Sequence, residues 1–349
     1  MADVWRIERS AQQSDSSLWI LRLHIPYPPR VSDDCKLSTH SGAGGAQDGP
    51  EPASVVRGRF APSPTGALHL GHAQTMLLAW LQVRALDGVF IVRMEDLDAS
   101  RNRPGAADAM LADLQWLGFD WDEGPQVGRP APDYVQSQRV ELYEQCLEIL
   151  RGRLYRCTCS RKDVREAAGA PHGGELAYPG TCREGTAKEG AAYSLRIRVP
   201  EGPVAWDDLW LGPCSDEPAS LCGDFIVRAK GGGHVYQLAC VADDIAMGIT
   251  HVLRGADLVA STSRQILLYQ WLGAPPPRFA HAPLLRDDDG QRMAKRRGSQ
   301  TLAELRDSGV HPRELVGLLA QGLGILDRHE SVEPSDLIEP FSQRFSHLR

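Results

Sequence analysis

The chain of 349 residues is 42% hydrophobic and 24% charged, the composition of an ordinary globular protein with room for about two domains. Its formal net charge of −7 argues against a general nucleic-acid binder, although a local basic groove is compatible with that sum. No apolar run approaches the ~20 residues that span a bilayer, and the first residues lack a signal-peptide core. We therefore expect a cytoplasmic protein without a membrane segment, whose eight cysteines serve as metal ligands or core residues.

The first 54 residues differ in composition from the rest of the chain. Residues 18–25 suit one short strand, whereas residues 38–52 are rich in Ser, Gly, Ala and Pro, which is typical of a flexible linker. We expect this extension to be poorly ordered and unnecessary for the chemistry.

A strand, a turn and a helix follow one another between residues 55 and 86. Residues 55–60 suit a strand, prolines and glycine end it, and a helix is expected to begin near His69. The first turn of such a helix presents free backbone N–H groups to phosphate oxygens. His69 and His72 are three residues apart and would share a face there. On this pattern alone, an ordinary helix start in an α/β unit remains an alternative.

The next elements continue an alternation of strand and helix. Residues 89–94 suit a strand that ends in the carboxylate cluster 95–98, where open α/β sheets place ligand-binding groups. Acidic residues at strand ends are also often only solvated. Helices are expected over 106–117 and 136–151. The alternation predicts an α/β fold with a parallel, doubly wound sheet.

The remaining chain divides into an insertion, a second half of the sheet domain and a short helical end. Strands are expected over 224–227, 235–241 and 249–253, and helices over 261–272, 301–306 and 312–323. The predicted units are an extension, 1–54; a first half of the catalytic domain, 55–153; an insertion, 154–223; a second half, 224–300; and a C-terminal segment, 301–349.

The insertion contains a candidate metal site. Cys157, Cys159 and Cys182 supply three soft ligands for a tetrahedral zinc ion. Chemistry alone favours His172 as the fourth, because imidazole is a routine ligand and a phenol with a pKa of ~10 ionises reluctantly. Unligated core cysteines are the alternative.

A basic loop over residues 292–298, RMAKRRG, follows an acidic turn. A flexible lysine such as Lys295 is a good point charge for the phosphates of a nucleotide. A solvated basic loop is the alternative.

Two of these segments together resemble a known family. The stretch RFAPSPTG at 59–66 and the word His69-Leu70-Gly71-His72 resemble the HIGH-type signature of class I glutamyl-tRNA synthetases and their paralogues. Residues 292–298 resemble the KMSKS-type loop, and Met293 and Lys295 are retained. The resemblance covers about 56–324 and implies a Rossmann-like catalytic domain with a small inserted zinc-binding, acceptor-type subdomain. It implies that ATP is bound by His69, Gly71, His72 and Lys295, and that His69, His72 and Lys295 are catalytic.

The resemblance also assigns the amino-acid substrate and the metal ligands. The residues that match glutamate-binding positions are Arg59, Phe60, Ala61, Pro62, Ser63, Glu95, Tyr236 and Arg254. An arginine fork suits a carboxylate, although Arg254 alone would more often form a surface salt bridge and Tyr236 alone a core aromatic. For zinc, the motif YPGTC points to Tyr178 as the fourth ligand beside Cys157, Cys159 and Cys182, in conflict with His172.

The length of chain after the basic loop favours one activity within the family. Full-length glutamyl-tRNA synthetases carry a large helical anticodon-binding region there, whereas only 53 residues follow Arg296, and a domain by itself takes ~50–250. The resemblance therefore implies a paralogue that activates L-glutamate with ATP and Mg²⁺ and transfers it to the queuosine base in the anticodon loop of tRNA(Asp). We expect a monomer. The alternatives are a truncated synthetase that charges a tRNA 3′ end and an inactive paralogue that binds tRNA or adenylate.

Overall fold

The computed structural model describes residues 55–128, 130–167, 177–185, 187–285 and 300–348. The predicted extension 1–54, the basic loop with Lys295 and the candidate ligand His172 lie outside these residues. The strands are β1 Arg57–Phe60, β2 Val89–Val92, β3 Leu154–Cys157, β4 Ser194–Ile197, β5 Val204–Asp208, β6 Gly212–Asp216, β7 Ile226–Arg228, β8 His251–Gly255 and β9 Arg278–Ala282. The helices are α1 Leu70–Arg84, α2 Ala106–Trp116, α3 Val140–Ile149, α4 Arg161–Ala167, α5 Pro218–Leu221, α6 Tyr236–Ala246, α7 Val259–Trp271, α8 Leu302–Asp307, α9 Pro312–Gly322 and α10 Ile338–Arg344.

The larger sheet has the strand order β2-β1-β8-β9-β5-β6. The first five strands are parallel to their neighbours, and β6 is antiparallel to β5. The strand β1 is central, because it pairs with β2 on one side and with β8 on the other. The predicted α/β fold with a mainly parallel sheet is therefore confirmed.

Helices cover both faces of this sheet, as a doubly wound fold requires. Phe90 and Val92 of β2 belong to a buried cluster with α1, α2, α8, α9 and α10. Ile91, which points to the opposite face, belongs to a second cluster with α3, α6 and α7. Alternate residues of one strand thus reach two separate cores.

The predicted insertion contributes to two sheets. Its strands β3 and β4 form a small antiparallel sheet with β7, which lies beyond the predicted boundary at residue 223. Its hairpin β5–β6 instead extends the large sheet through the pair Asp208 and Phe279. This hairpin consequently brings residues of the insertion next to the catalytic domain.

The prediction of a strand over residues 235–241 is wrong, because residues 236–241 form the first part of the helix α6 and Val235 is its N-cap residue. Val235, Val241 and the aromatic Tyr236 favoured a strand in the sequence. Leu238, Val241 and Ile245 do keep a helical spacing, but the β-branched and aromatic residues at the start of the segment outweighed it in the prediction. In the fold, the residues from Leu238 to Asp244 are all buried.

The C-terminal segment contains the two predicted helices, which are α8 and α9, and also α10, which the weak pattern after residue 323 did not indicate. Phe341 of α10, Phe345 and Leu348 are buried against the cluster that contains α1. The amide of Gln82 on α1 donates to the carbonyl of Leu348 at 2.7 Å. The end of the described chain is therefore part of the main core.

Within the described ranges, every helix is too short or too polar to cross a membrane.

Candidate active site

One cavity of about 980 Å³ opens at the carboxyl ends of β1, β2 and β8. In a parallel sheet this is the edge at which ligands bind. The cavity is lined by all the predicted substrate-binding and catalytic residues that the structure describes, namely Arg59, Phe60, Ala61, Pro62, Ser63, His69, Gly71, His72, Glu95, Tyr236 and Arg254. The fold thus brings together residues from both predicted halves of the catalytic domain.

The helix α1 begins in this cavity with both histidines in its first turn. The Nδ1 atom of His69 accepts from the backbone N–H of Gly71 at 3.2 Å, and Nδ1 of His72 accepts from the N–H of His69 at 3.2 Å. A neutral imidazole whose Nδ1 accepts carries its proton on Nε2. A Cβ atom at Gly71 would lie 3.1 Å from Cε1 of His69, so glycine leaves room for that ring. In the neutral rings of His69 and His72, the proton therefore stands on Nε2.

A buried network of charges fixes Arg59 and Glu95. Arg59 Nε lies 3.4 Å from Asp244 Oδ1, and Arg93, which is fully buried, contacts Asp244 at 2.6 Å and Glu95 at 2.9 Å. The backbone N–H of Glu95 donates to the carbonyl of Pro62 at 2.9 Å and so holds it beside the signature turn. Burial raises the pKa of Glu95, although the charges of Arg93 and Arg59 oppose this effect. Burial acts in the same way on the pKa of Asp244, but there the two arginines prevail and lower it.

Arg93 and Asp244 were missed in the sequence. The signal was an arginine at the end of an apolar strand, two residues before Glu95, and an acidic pair within the buried run of α6. A charge in such a position requires a partner, which only the fold identifies.

Arg254 differs from Arg59 and Arg93 in its surroundings. It is 4% exposed and donates through Nε to His281 Nε2 at 2.9 Å, through NH1 to Gln265 Oε1 at 2.7 Å and through NH2 to Thr262 Oγ1 at 2.9 Å. No carboxylate lies within ion-pair distance of Arg254 among the residues that the structure describes. Its positive charge is therefore available to an anionic ligand.

Tyr236 stands in the first turn of α6, with its hydroxyl 3.5 Å from NH1 of Arg254. Burial raises the pKa of this phenol, so the hydroxyl keeps its proton. The structure thus places this predicted residue in the cavity, on a helix and not on the predicted strand.

Further residues that line the cavity were not singled out as site residues. Arg101 and Asn102 lie shortly after the carboxylate cluster, His234 lies two residues before Tyr236 and Asp257 three residues after Arg254, whereas Arg161 stands in a segment that carried no local signal. Arg101 and Arg161 are exposed, so they add positive charge at the accessible part of the cavity.

The three predicted cysteine ligands also come together, in the small sheet and the turn beside it. The Sγ atoms of Cys157, Cys159 and Cys182 lie within 4.8 Å of one another. The hydroxyl of Tyr178 lies 3.4 Å from Sγ of Cys157 and 3.8 Å from Sγ of Cys159, and it accepts from the backbone N–H of Cys182 at 2.7 Å. Three thiols with a fourth donor nearby are a set that suits a soft tetrahedral ion.

Comparison with known proteins agrees with this geometry. Residues 55–347 match the family model of class I tRNA synthetases (E and Q), catalytic domain, so the chain belongs to this family. It is 51% identical to the glutamyl-Q tRNA(Asp) synthetase of Symbiobacterium thermophilum, over 82% of this chain and 92% of the relative. It is 47% identical to the protein of the same name from Nitratidesulfovibrio vulgaris, over 81% of this chain and 91% of the relative.

Among solved structures, the fold is similar to a glutamate tRNA ligase from Elizabethkingia meningosepticum in complex with its amino acid, with a TM-score of 0.71 and 29% identity. The match covers 81% of this chain and 64% of the ligase, so the chain spans less than two thirds of that solved protein. The resemblance drawn from the signature words is confirmed at the level of the family and the fold.

Proposed function

We propose that the protein activates L-glutamate with ATP and transfers the glutamyl group to the queuosine base in the anticodon loop of tRNA(Asp). One observation carries this proposal: a single cavity joins the helix start with His69 and His72 to Arg254, a buried cation without a carboxylate partner among the described residues. The names of the relatives at 43–51% identity support the choice of the acceptor.

In the first step, the site binds glutamate between groups of opposite charge. Arg254 and Arg59 face the carboxylates, and the Glu95 carboxylate binds the ammonium group. An oxygen of the α-carboxylate attacks the α-phosphate of ATP, a new P–O bond forms, the bond to the β-phosphate breaks and pyrophosphate leaves. The Nε2–H groups of His69 and His72 stabilise the negative charge that develops on the phosphate oxygens.

Lys295 is proposed to bind the phosphates that leave. It lies outside the described residues, but the described chain on either side reaches this region. Leu285 lines the cavity, and Thr301 forms a backbone bridge with His69. We expect Mg²⁺ to accompany ATP, because a polyphosphate requires a hard cation.

In the second step, a hydroxyl of the queuosine cyclopentenediol attacks the carbonyl carbon of glutamyl-adenylate. An ester bond forms, the bond to the phosphate of AMP breaks, AMP leaves with the electron pair, and the hydroxyl proton passes to the departing phosphate or to water. No side chain becomes a covalent nucleophile, so the protein contributes positioning and electrostatic stabilisation.

Cys157, Cys159, Cys182 and Tyr178 are proposed to hold one zinc ion that stabilises the fold of the small subdomain. The convergence of three sulfur atoms supports this assignment. Joint substitution of Cys157 and Cys159 by alanine is expected to abolish the zinc content measured by atomic absorption. Zinc that survives this substitution would refute the site.

The acceptor is tested by incubating the protein with ATP, labelled glutamate and tRNA(Asp) that either contains or lacks queuosine. We expect the protein to be a monomer in solution. The proposal predicts label only on the tRNA that contains queuosine. Equal labelling of both tRNAs would overturn it in favour of 3′-end charging. Absence of glutamate-dependent ATP–pyrophosphate exchange would instead indicate a binding protein.

A further inference from the structure

Two buried residues behind Arg254 do not line the cavity and are left unexplained by the proposed chemistry. His281 on β9 is fully buried, and its Nε2 accepts from Nε of Arg254 at 2.9 Å. Its Nδ1 lies 2.5 Å from Oδ2 of Asp208, at the end of β5. Asp208, His281 and Arg254 thus form a row across three neighbouring strands of the large sheet.

The direction of every hydrogen bond in this row is fixed. The Nε–H of Arg254 can only donate, so Nε2 of His281 must accept, and the proton of a neutral imidazole then stands on Nδ1 and is donated to Asp208. The other carboxylate oxygen, Oδ1, accepts from the backbone N–H groups of Trp210 and Leu211, each at 3.0 Å, and of His281 at 3.1 Å. Asp208 is therefore a saturated acceptor that is held by backbone and that determines the tautomer of His281.

The protonation states agree with these directions. Burial lowers the pKa of His281, against the opposing effect of Asp208, so the ring is neutral at neutral pH. Burial acts to raise the pKa of Asp208, but its hydrogen bonds from His281 and the backbone prevail and lower it.

We infer that Asp208 and His281 are positioning residues for glutamate: they hold the guanidinium of Arg254 in the orientation that receives a substrate carboxylate. This inference rests on the proposed function and adds to it that the β5–β6 hairpin of the insertion takes part in amino-acid binding. Thr262 Oγ1 accepts from NH2 of the same guanidinium at 2.9 Å and lies 3.2 Å from His281 Nε2, so these two acceptors stand side by side. Gln265 Oε1 accepts from NH1 at 2.7 Å, and the three bonds together leave the guanidinium little freedom to rotate.

The test is Asp208→Asn, which preserves size and leaves a single acceptor oxygen, which the three backbone N–H groups of Trp210, Leu211 and His281 attract. The amide N–H₂ of asparagine then faces Nδ1 of His281, which must accept, so the imidazole proton moves to Nε2. Two N–H donors, Nε2–H of His281 and Nε–H of Arg254, then face each other and their hydrogen bond is lost. We expect the KM for glutamate in ATP–pyrophosphate exchange to rise about tenfold, the loss expected for one charge-assisted hydrogen bond. The KM for ATP should stay within about twofold, since Arg254 is assigned to glutamate alone.

Two variants at His281 separate the hydrogen bond from the packing. His281→Phe keeps an aromatic ring without an acceptor and should raise the KM for glutamate at least as much as Asp208→Asn. His281→Gln restores an acceptor oxygen and should raise it less. The matched control is His251→Gln, because His251 is buried at the opposite end of β8 and does not line the cavity. It should lower the melting temperature and leave the KM for glutamate unchanged.

The outcomes are distinguishable when glutamate binding is also measured by calorimetry on the full chain. Folded Asp208→Asn and His281→Phe proteins with a wild-type KM and Kd for glutamate would overturn the inference. A rise in the KM for ATP that parallels the rise in the KM for glutamate in these variants would also overturn it. So would glutamate binding that is weakened as much in His281→Gln as in His281→Phe. Wild-type protein that binds glutamate without exchange overturns only the proposed function, since the Kd still reports on positioning. Wild-type protein that binds no glutamate overturns both.

Discussion

The three buried arginines of the site illustrate two uses of the same side chain. Arg93 lies between Asp244 and Glu95, so its charge is compensated within the protein, whereas Arg59 shares Asp244 with it at 3.4 Å and also lines the cavity. Arg254 is held by neutral groups, so its charge is not compensated by a carboxylate among the described residues, and we propose that a substrate carboxylate compensates it. Removing one partner of a buried pair leaves an uncompensated charge, and this determines which substitution affects stability.

Arg93→Met is expected to destabilise the fold by about 3–5 kcal/mol, because it leaves Glu95 and Asp244 with less positive charge in a buried site. The free energy of unfolding is measured by urea denaturation. The matched control is Arg151→Met: Arg151 pairs with Glu148 at 2.9 Å, but the two side chains are 80% and 71% exposed. That control should change stability by less than about 0.5 kcal/mol. Equal effects of the two substitutions would contradict the structural role of Arg93.

Because Glu95 is proposed to bind the ammonium group, we expect the binding of glutamate to depend on pH. Burial raises its pKa, so the carboxylate takes up a proton at a higher pH than an exposed glutamate does, and the protonated form no longer attracts an ammonium group. The KM for glutamate should therefore be constant above this raised pKa and rise as the pH falls through it. ATP–pyrophosphate exchange between about pH 8 and about pH 5 measures this.

Glu95→Gln is the control, because the carboxylates of the substrate titrate identically in both proteins. Its KM for glutamate should be high and much less dependent on pH over the same range. The same pH profile in the wild type and in Glu95→Gln would show that another group titrates.

At the scale of elements, the sequence predicted what a local pattern encodes. The strand, turn and helix from Arg57 to Arg84 were recognisable because a Pro- and Gly-rich turn joins two regular segments. The helix α6 was mistaken for a strand although Leu238, Val241 and Ile245 keep a helical spacing, because its burial against α3 and α7 is not visible in the segment itself. The helix α10 was missed because its few apolar residues are buried by residues that lie far away in the chain. In both cases the packing partner, which is distant in the chain, determines the element.

The helix α10 provides a prediction at this scale. Phe341 is fully buried and stacks on Phe345 with ring centroids 5.2 Å apart. Phe341→Ala should destabilise the protein by about 3–5 kcal/mol, since it removes apolar contacts and leaves a cavity in the core. Ile149→Ala is the control, because Ile149 is 65% exposed, and it should change stability by less than about 0.5 kcal/mol. A small effect at Phe341, measured by urea denaturation, would indicate that α10 is not part of the cooperative core.

At the scale of the whole molecule, the site is assembled from segments that the sequence keeps far apart. The signature words predicted site residues between 59 and 72, and the family resemblance predicted Glu95, Tyr236 and Arg254, all of which line the cavity. Neither could locate Asp208 and His281, since these lie 73 residues apart and meet only because β5 and β9 are neighbours. A motif reports the residues that touch a ligand, whereas the residues that orient them depend on strand order.

All the described residues of the cavity lie between Arg59 and Leu285, and the family match begins at residue 55. A variant that begins at residue 55 should therefore retain the KM values for glutamate and ATP and the melting temperature of the full chain. A variant that begins at residue 62 is the control, because it lacks β1, the strand that joins β2 to β8. It should fail to fold, as judged by circular dichroism. Loss of ATP–pyrophosphate exchange in the variant that begins at residue 55, with its melting temperature preserved, would assign residues 1–54 a part in the reaction.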